Sequence, residues 1–108
     1  MQDCIFCKIV NKEVPADFIF ESESVVAFSD INPKAKVHIL IIPKKHIESV
    51  KTLQELDKNL IGEMFLTAQK IAKDKNLEGY KLFISVGREG GQEVDHLHLH
   101  LVSPDFKM

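Results

Sequence analysis

His96, His98 and His100 alternate with Leu97, Leu99 and Leu101 near the end of a 108-residue chain. In a strand, successive side chains point to opposite faces, so this spacing puts three imidazoles on one face and three leucines on the other. In a helix, residues two apart lie about 200° apart and could not cluster. An apolar back with an imidazole front suits a site better than a core, and a plain solvent-facing strand would favour Thr, Lys or Glu. Two chemistries stay open on spacing alone. Neutral imidazoles could hold a metal such as zinc. Alternatively, one imidazole nitrogen could attack phosphorus and form a covalent intermediate while its neighbours orient it and stabilise charge.

Cys4-x-x-Cys7 is the second constellation. In a reducing compartment such a pair suggests metal or redox chemistry rather than a structural disulfide; two small buried hydrophobes are the plainer alternative. No strand precedes the pair, which argues against a thioredoxin-like role. His38 interrupts an apolar run and reads as a site residue or as a satisfied core histidine. Residues 87–92, with glycines at 87, 90 and 91, could bring backbone N–H groups close to a phosphate. A tight turn is the alternative there.

These residues need elements to hold them. Ile5, Phe6 and Ile9 have helical spacing, giving a short helix closed off before Pro15. Residues 18–21 and 25–28 read as strands joined by a polar turn at 22–24. Asn32-Pro33-Lys34-Ala35 is a turn, and residues 37–42 form a third strand stopped by Pro43. That strand is apolar on both faces apart from His38, so it belongs inside the sheet. Thr52-Leu53-Gln54-Glu55 has capping-box spacing for a helix. Leu56, Leu60, Ile61, Met64, Phe65, Ala68, Ile71 and Ala72 then form one apolar stripe, fading at residues 76–79. Residues 80–86 and 96–102 supply the fourth and fifth strands. The expected fold class is α+β, a five-stranded, mainly antiparallel sheet with one long helix and a short N-terminal one. The helix stripe and the leucine face share the core, leaving the histidine face for solvent, ligand or a partner subunit. With no repeat or linker, residues 1–108 read as a single domain.

Composition narrows the partners. The residues are 44% hydrophobic and 28% charged, with a formal net charge of −2. That balance gives no electrostatic case for nucleic acid or an anionic membrane. The run Ile39 to Ile42 is too short to cross a bilayer. The N-terminus lacks the basic and apolar regions of a signal peptide, so a cytoplasmic location is expected.

His-x-His-x-His followed by two apolar residues resembles the signature of the histidine-triad (HIT) nucleotide hydrolases and transferases. Cys4-Ile5-Phe6-Cys7-Lys8-Ile9, Phe28-Ser29-Asp30-Ile31-Asn32-Pro33, His38 to Ile42, Pro43-Lys44-Lys45-His46 and Gly90-Gly91-Gln92 follow the same family pattern in the same order. The likeness covers nearly the whole chain and is nearest to the Hint-like branch of nucleoside phosphoramidases, of the bacterial zinc-binding type. It implies a HIT-like α+β fold and a homodimer.

The resemblance also implies roles. His98, the middle histidine, would be the nucleophile toward the α-phosphorus of a purine nucleotide-type small molecule, with His100 and His38 as its orienting neighbours. Asp30 would bond the ribose hydroxyls, and Ile5, Phe6, Ile9, Phe28 and Ile31 would clamp the base; plain core packing is their alternative on sequence alone. Gln92 and Glu93 fall at the phosphate end of that nucleotide site. Ser85 and Glu93 depart from the Hint pattern, which has Asn and a hydroxyl residue there. A carboxylate facing a phosphate is repulsive, so Glu93 is expected to turn away or to offer only its backbone N–H. Cys4, Cys7, His46 and His96 match a structural zinc set in some bacterial members, with no catalytic metal expected. The short tail after Ser103 lacks most of the C-terminal element of longer Hint-type members. The implied activity is hydrolysis of nucleoside 5'-phosphoramidates or related α-phosphate adducts. The alternatives are a dinucleoside polyphosphate hydrolase, or a nucleotide-binding or interaction module with little turnover.

Overall fold

In the computed structural model, which describes residues 4–103, the strand order is β1-β2-β3-β5-β4 and every pairing is antiparallel. The strands are β1 (Phe18–Glu21), β2 (Val25–Ser29), β3 (Val37–Pro43), β4 (Lys81–Phe83) and β5 (Leu99–Ser103). Met1–Asp3 and the tail after Ser103, including the expected shortening of the C-terminal element, lie outside the described residues. β3, apolar on both faces, is central as its composition requires. The α+β architecture is as expected, with α1 (Ile5–Val10) and the long α2 (Lys58–Asp74) on opposite faces of the sheet.

Alternation decides the two faces. Val25, Ala27, Ile39, Ile41, Leu97, Leu99 and Leu101 pack with Met64, Ala68, Ile71 and Ala72 of α2. Val26, Phe28, Leu40 and Ile42 point the other way and pack on Phe6 and Ile9 of α1. Burying each such aliphatic side chain contributes about 1.5–3 kcal/mol. The histidine face is therefore not simply left open, because α1 covers part of it.

Three element ends and the apolar stripe of α2 differ from the sequence expectation. α2 begins at Lys58, after two 3-10 turns at Val50–Thr52 and Glu55–Asp57. Ser49 takes the capping role, its hydroxyl accepting from the Lys51 N–H, while Thr52 donates to the Ser49 carbonyl. The chain so turned brings the buried Asp57 to the helix start, where its carboxylate accepts from the Gln54 N–H at 2.9 Å and the Lys45 ammonium at 2.7 Å. Leu56, on the turn and out of phase with the helix, is 72% exposed. Phe65 is 41% exposed and Thr67 is buried in its stead. β5 starts only at Leu99, leaving His96 and His98 just before it, and β4 stops at Phe83, opposite His100. Residues 84–86 are thereby freed to line a cavity.

Candidate active site and metal cluster

The sheet register lays one row of side chains across the face opposite α2. Phe28 pairs with Leu40, Leu40 with His100, and His100 with Phe83. This row is the floor of a cavity of about 990 Å³. Ile5, Phe6 and Ile9 of α1 form one wall. Asp30, Ile31, Asn32 and Lys34 bound it beside His38, and residues 84–86 with Gly90, Gly91, Glu93 and Val94 close the other side. His98 and His100 face into it. Ile31, 88% exposed, stands at the lip.

Backbone contacts fix the proton positions on the rings. The Lys34 N–H can only donate, so at 3.1 Å it makes His38 Nδ1 an acceptor and leaves the proton on Nε2. His38 Nε2–H then donates to His100 Nδ1 at 3.0 Å, with Asp30 Oδ2 at 3.5 Å. His100 in turn keeps its proton on Nε2 and stacks on Phe83, centroids 4.4 Å apart and 7° from parallel. His98 Nδ1 lies 2.7 Å from the His96 carbonyl oxygen, which can only accept. Its Nδ1 is therefore the protonated nitrogen and its Nε2 carries a free lone pair. Phe6 holds this ring edge-on at 5.2 Å, and the His100 ring is 4.9 Å away. Burial pushes His38 and His98 below the usual imidazole range, and pushes His100 down to about 4. All three are neutral at pH 7.

Asp30, His38 and His100 also lie within ligand distance of one another. The Lys34 N–H argues against a cation there. It forces the proton onto the His38 nitrogen that a metal would need, so this group reads as a hydrogen-bonded relay.

His96 parts company with the other two. Its ring is fully buried among Cys4, Cys7 and His46, and all four donor atoms lie within 4.8 Å of one another. Cys4 Sγ is 3.3 Å and Cys7 Sγ 3.7 Å from His96 Nδ1, and Cys7 Sγ is 3.3 Å from His46 Nδ1. A zinc tetrahedron with ordinary Zn–S and Zn–N bonds has S···N edges of about 3.5 Å, so the donor set fits. His96 Nε2 donates to the Pro43 carbonyl at 2.9 Å, which turns Nδ1 toward the sulfurs as an outer partner of a ligating histidine does. Burial, then the neighbouring Cys4, pushes the Cys7 thiol up to about 11, and burial pushes His96 down to about 4. A divalent cation would reverse the penalty on the thiols.

Of the fifteen named positions, thirteen fall in the cavity or the cysteine cluster, and two, Gln92 and Glu93, need comment. Gln92 does not line the cavity. It is buried, and its amide is spent on backbone groups of its own loop and of Glu48. Glu93 is exposed and is among the residues that line the cavity. The glycine-rich loop offers less than expected, because the N–H groups of Gly90, Gly91 and Gln92 are bonded within it. Lys34, Phe83 and Val94 escaped the sequence reading. A backbone donor such as Lys34 carries no side-chain signal, whereas Phe83 was recoverable as the aromatic opposite His100.

A sheet whose central strand pair carries His38 and His100, with His98 beside them over an apolar wall, defines a histidine-triad domain. The family model described as "Scavenger mRNA decapping enzyme C-term binding" matches residues 3–108. Protein HitA of Neisseria gonorrhoeae is 46% identical over 103 residues, covering 94% of this chain and 96% of that protein. Purine nucleoside phosphoramidase of Escherichia coli (strain K12) is 40% identical over 103 residues, covering 94% and 87%. Among solved structures, a HIT family hydrolase from Legionella pneumophila Philadelphia 1 superposes with a TM-score of 0.92 at 44% identity, covering 94% of this chain and 92% of that one. The chain belongs to the histidine-triad (HIT) family.

Proposed function

We propose that the protein is a nucleotide hydrolase that cleaves nucleoside 5'-phosphoramidates or related α-phosphate adducts through a nucleotidyl-His98 intermediate. The observation that carries this reading is the fixed tautomer of His98, with Nδ1–H held by the His96 carbonyl and Nε2 unprotonated. A nucleophile must be neutral at the attacking atom, and burial favours that state. The similarity to a phosphoramidase of Escherichia coli supports the substrate class.

In the first step His98 Nε2 attacks the α-phosphorus, the bond to the leaving nitrogen breaks with its electron pair going to that nitrogen, and the released amine takes a proton from water. The imidazole becomes a cation, stabilised by its Nδ1–H bond to the His96 carbonyl. His100 presents Nε2–H to a phosphoryl oxygen, and His38 and the Lys34 N–H keep that proton in place. In the second step water attacks phosphorus and gives up a proton that neutralises the hydroxide left by the first, the P–Nε2 bond breaks with its electron pair returning to Nε2, and nucleoside monophosphate leaves. Asp30 accepts from the ribose hydroxyls, while Ile5, Phe6, Ile9, Phe28 and Ile31 receive the purine. His98→Ala lowers release of nucleoside monophosphate from a phosphoramidate by on the order of 10⁴–10⁶-fold while nucleotide still binds. Undiminished turnover in that variant would sink the proposal.

Cys4, Cys7, His46 and His96 are proposed to hold a structural zinc; two thiolates and two imidazoles form a closed set that favours this ion. Zinc would supply a cross-link between α1 and the segments at 46 and 96, and takes no part in the chemistry above. A cytoplasmic setting, which keeps thiols reduced, suits the pair. Among the described residues no helix is long and apolar enough to cross a membrane. The exposed Phe65 and Leu66 on α2 support a homodimer, since exposed apolar patches commonly mark subunit contacts.

A further inference from the structure

The loop at 87–92 is fastened by one buried side chain. Gln92 is 3% exposed. Its Oε1 accepts the Gly87 N–H at 2.9 Å, and its Nε2 donates to the carbonyls of Glu48 at 2.7 Å and Val94 at 2.9 Å. Both amide protons are thus used, each on a different stretch of backbone. The main chain repeats the fastening, with the Gln92 N–H bonded to the Gly87 carbonyl at 2.9 Å. Arg88 donates to the Gln92 carbonyl and to Asp95.

Two consequences follow for the backbone. Because the N–H groups of Gly90, Gly91 and Gln92 are bonded inside the loop, none is offered to a ligand. The next two, on Glu93 and Val94, have no partner among the described residues, and both residues line the cavity. The far end of the clamp is equally informative. Glu48 follows Ile47, whose carbonyl accepts the Leu97 N–H at 2.7 Å. The Gln92 amide therefore ties the cavity wall to the backbone that precedes His98.

We propose that Gln92 is a positioning residue for phosphoryl transfer, its amide holding the backbone at 92–94 so that the Glu93 N–H faces the transferred phosphoryl group. This rests on the hydrolase reading above and gives the Gln92 side chain a task away from the nucleotide. Glu93 then acts through its main chain, and its exposed carboxylate can stay clear of the phosphate.

Gln92→Glu keeps the shape but sets a carboxylate oxygen against two carbonyls. A misaimed donor of this kind costs about 10–100-fold in kcat. KM for a nucleoside phosphoramidate should move by less than about threefold, because base and ribose contacts lie elsewhere. Ser103→Ala is the control: it deletes a buried hydrogen bond to the Gly79 carbonyl, at 2.6 Å and outside the cavity lining. It should lower stability and leave kcat unchanged. Wild-type kcat in Gln92→Glu overturns the proposal, as does an equal fall in Ser103→Ala. A second measurement needs no variant. Titrating the ¹⁵N-labelled wild-type protein with a nucleoside monophosphate should shift the Glu93 amide resonance well beyond those of Gly90 and Gly91. Shifts at Phe28 and Asp30 without one at Glu93 overturn the inference while sparing the hydrolase reading; no shift anywhere removes both.

Discussion

Backbone partners, rather than place in the repeat, set the orientation of the His38, His96, His98 and His100 rings. The His96 carbonyl orients His98, the Lys34 N–H orients His38 and through it His100, and the Pro43 carbonyl turns His96 toward the cysteines. The neutrality of these rings has a thermodynamic signature. Burial holds His100 at about 4 against an ordinary 6.5, so between those values the unfolded chain binds more protons than the native one. Stability therefore falls as pH drops from 6.5 toward 4. His100→Asn removes that contribution and should flatten the decline by on the order of 1–3 kcal/mol across the window, after allowance for partial exposure. Urea unfolding at a series of pH values measures it; parallel curves for the two proteins would contradict the assignment.

At the scale of elements, alternation before and along β5 sorts function from core. Leu99, fully buried against the α2 side of the sheet, should cost about 2–5 kcal/mol when cut to alanine, with turnover per folded molecule preserved. Chemical unfolding and an assay corrected for folded fraction check the pair of outcomes. α1 is only six residues long and too short to be stable alone, yet it carries Ile5, Phe6 and Ile9 of the cavity wall. The proposed zinc predicts about one ion per chain in the wild-type protein and below about one tenth in Cys4→Ser with Cys7→Ser. The midpoint of thermal melting should fall by about 10 °C, a shift worth roughly 1–2 kcal/mol, and nucleotide should bind more weakly as the wall loosens. Elemental analysis, melting and calorimetric titration report these separately. The strand pattern and the apolar stripe of α2 were legible because period alone encodes them. The start of α2 was not, since Ser49, Thr52, Gln54 and Asp57 all carry capping chemistry and only tertiary contact with Lys45 selects among them. The lengths of β4 and β5 were also hidden, because a strand ends where its partner does.

For the whole molecule, the triad spacing serves two sites at once. His98 and His100 line the cavity while His96 lies in the cysteine cluster, so one short stretch of chain joins the proposed chemical site to the proposed structural one. The motif marked this stretch, and only the resemblance assigned its rings to two different sites, because spacing alone cannot tell a ligand from a nucleophile. The reassignment of Gln92 had no sequence signal: a glutamine beside two glycines reads as a loop residue until its three backbone partners are seen. Assembly is the remaining question at this scale. Leu66→Glu, at a position 65% exposed on α2, should convert the proposed dimer to a monomer without unfolding it. Sedimentation velocity of the two proteins decides the matter, and a wild-type monomer would exclude that interface.

The covalent step is the most direct point of attack. Wild-type protein mixed with a nucleoside phosphoramidate and quenched in alkali within the first turnover should carry one nucleotidyl group, located on His98 by peptide mass spectrometry and missing from His98→Ala. Release of product with no adduct at any time, or an adduct on His100 or His38 instead, would contradict the account.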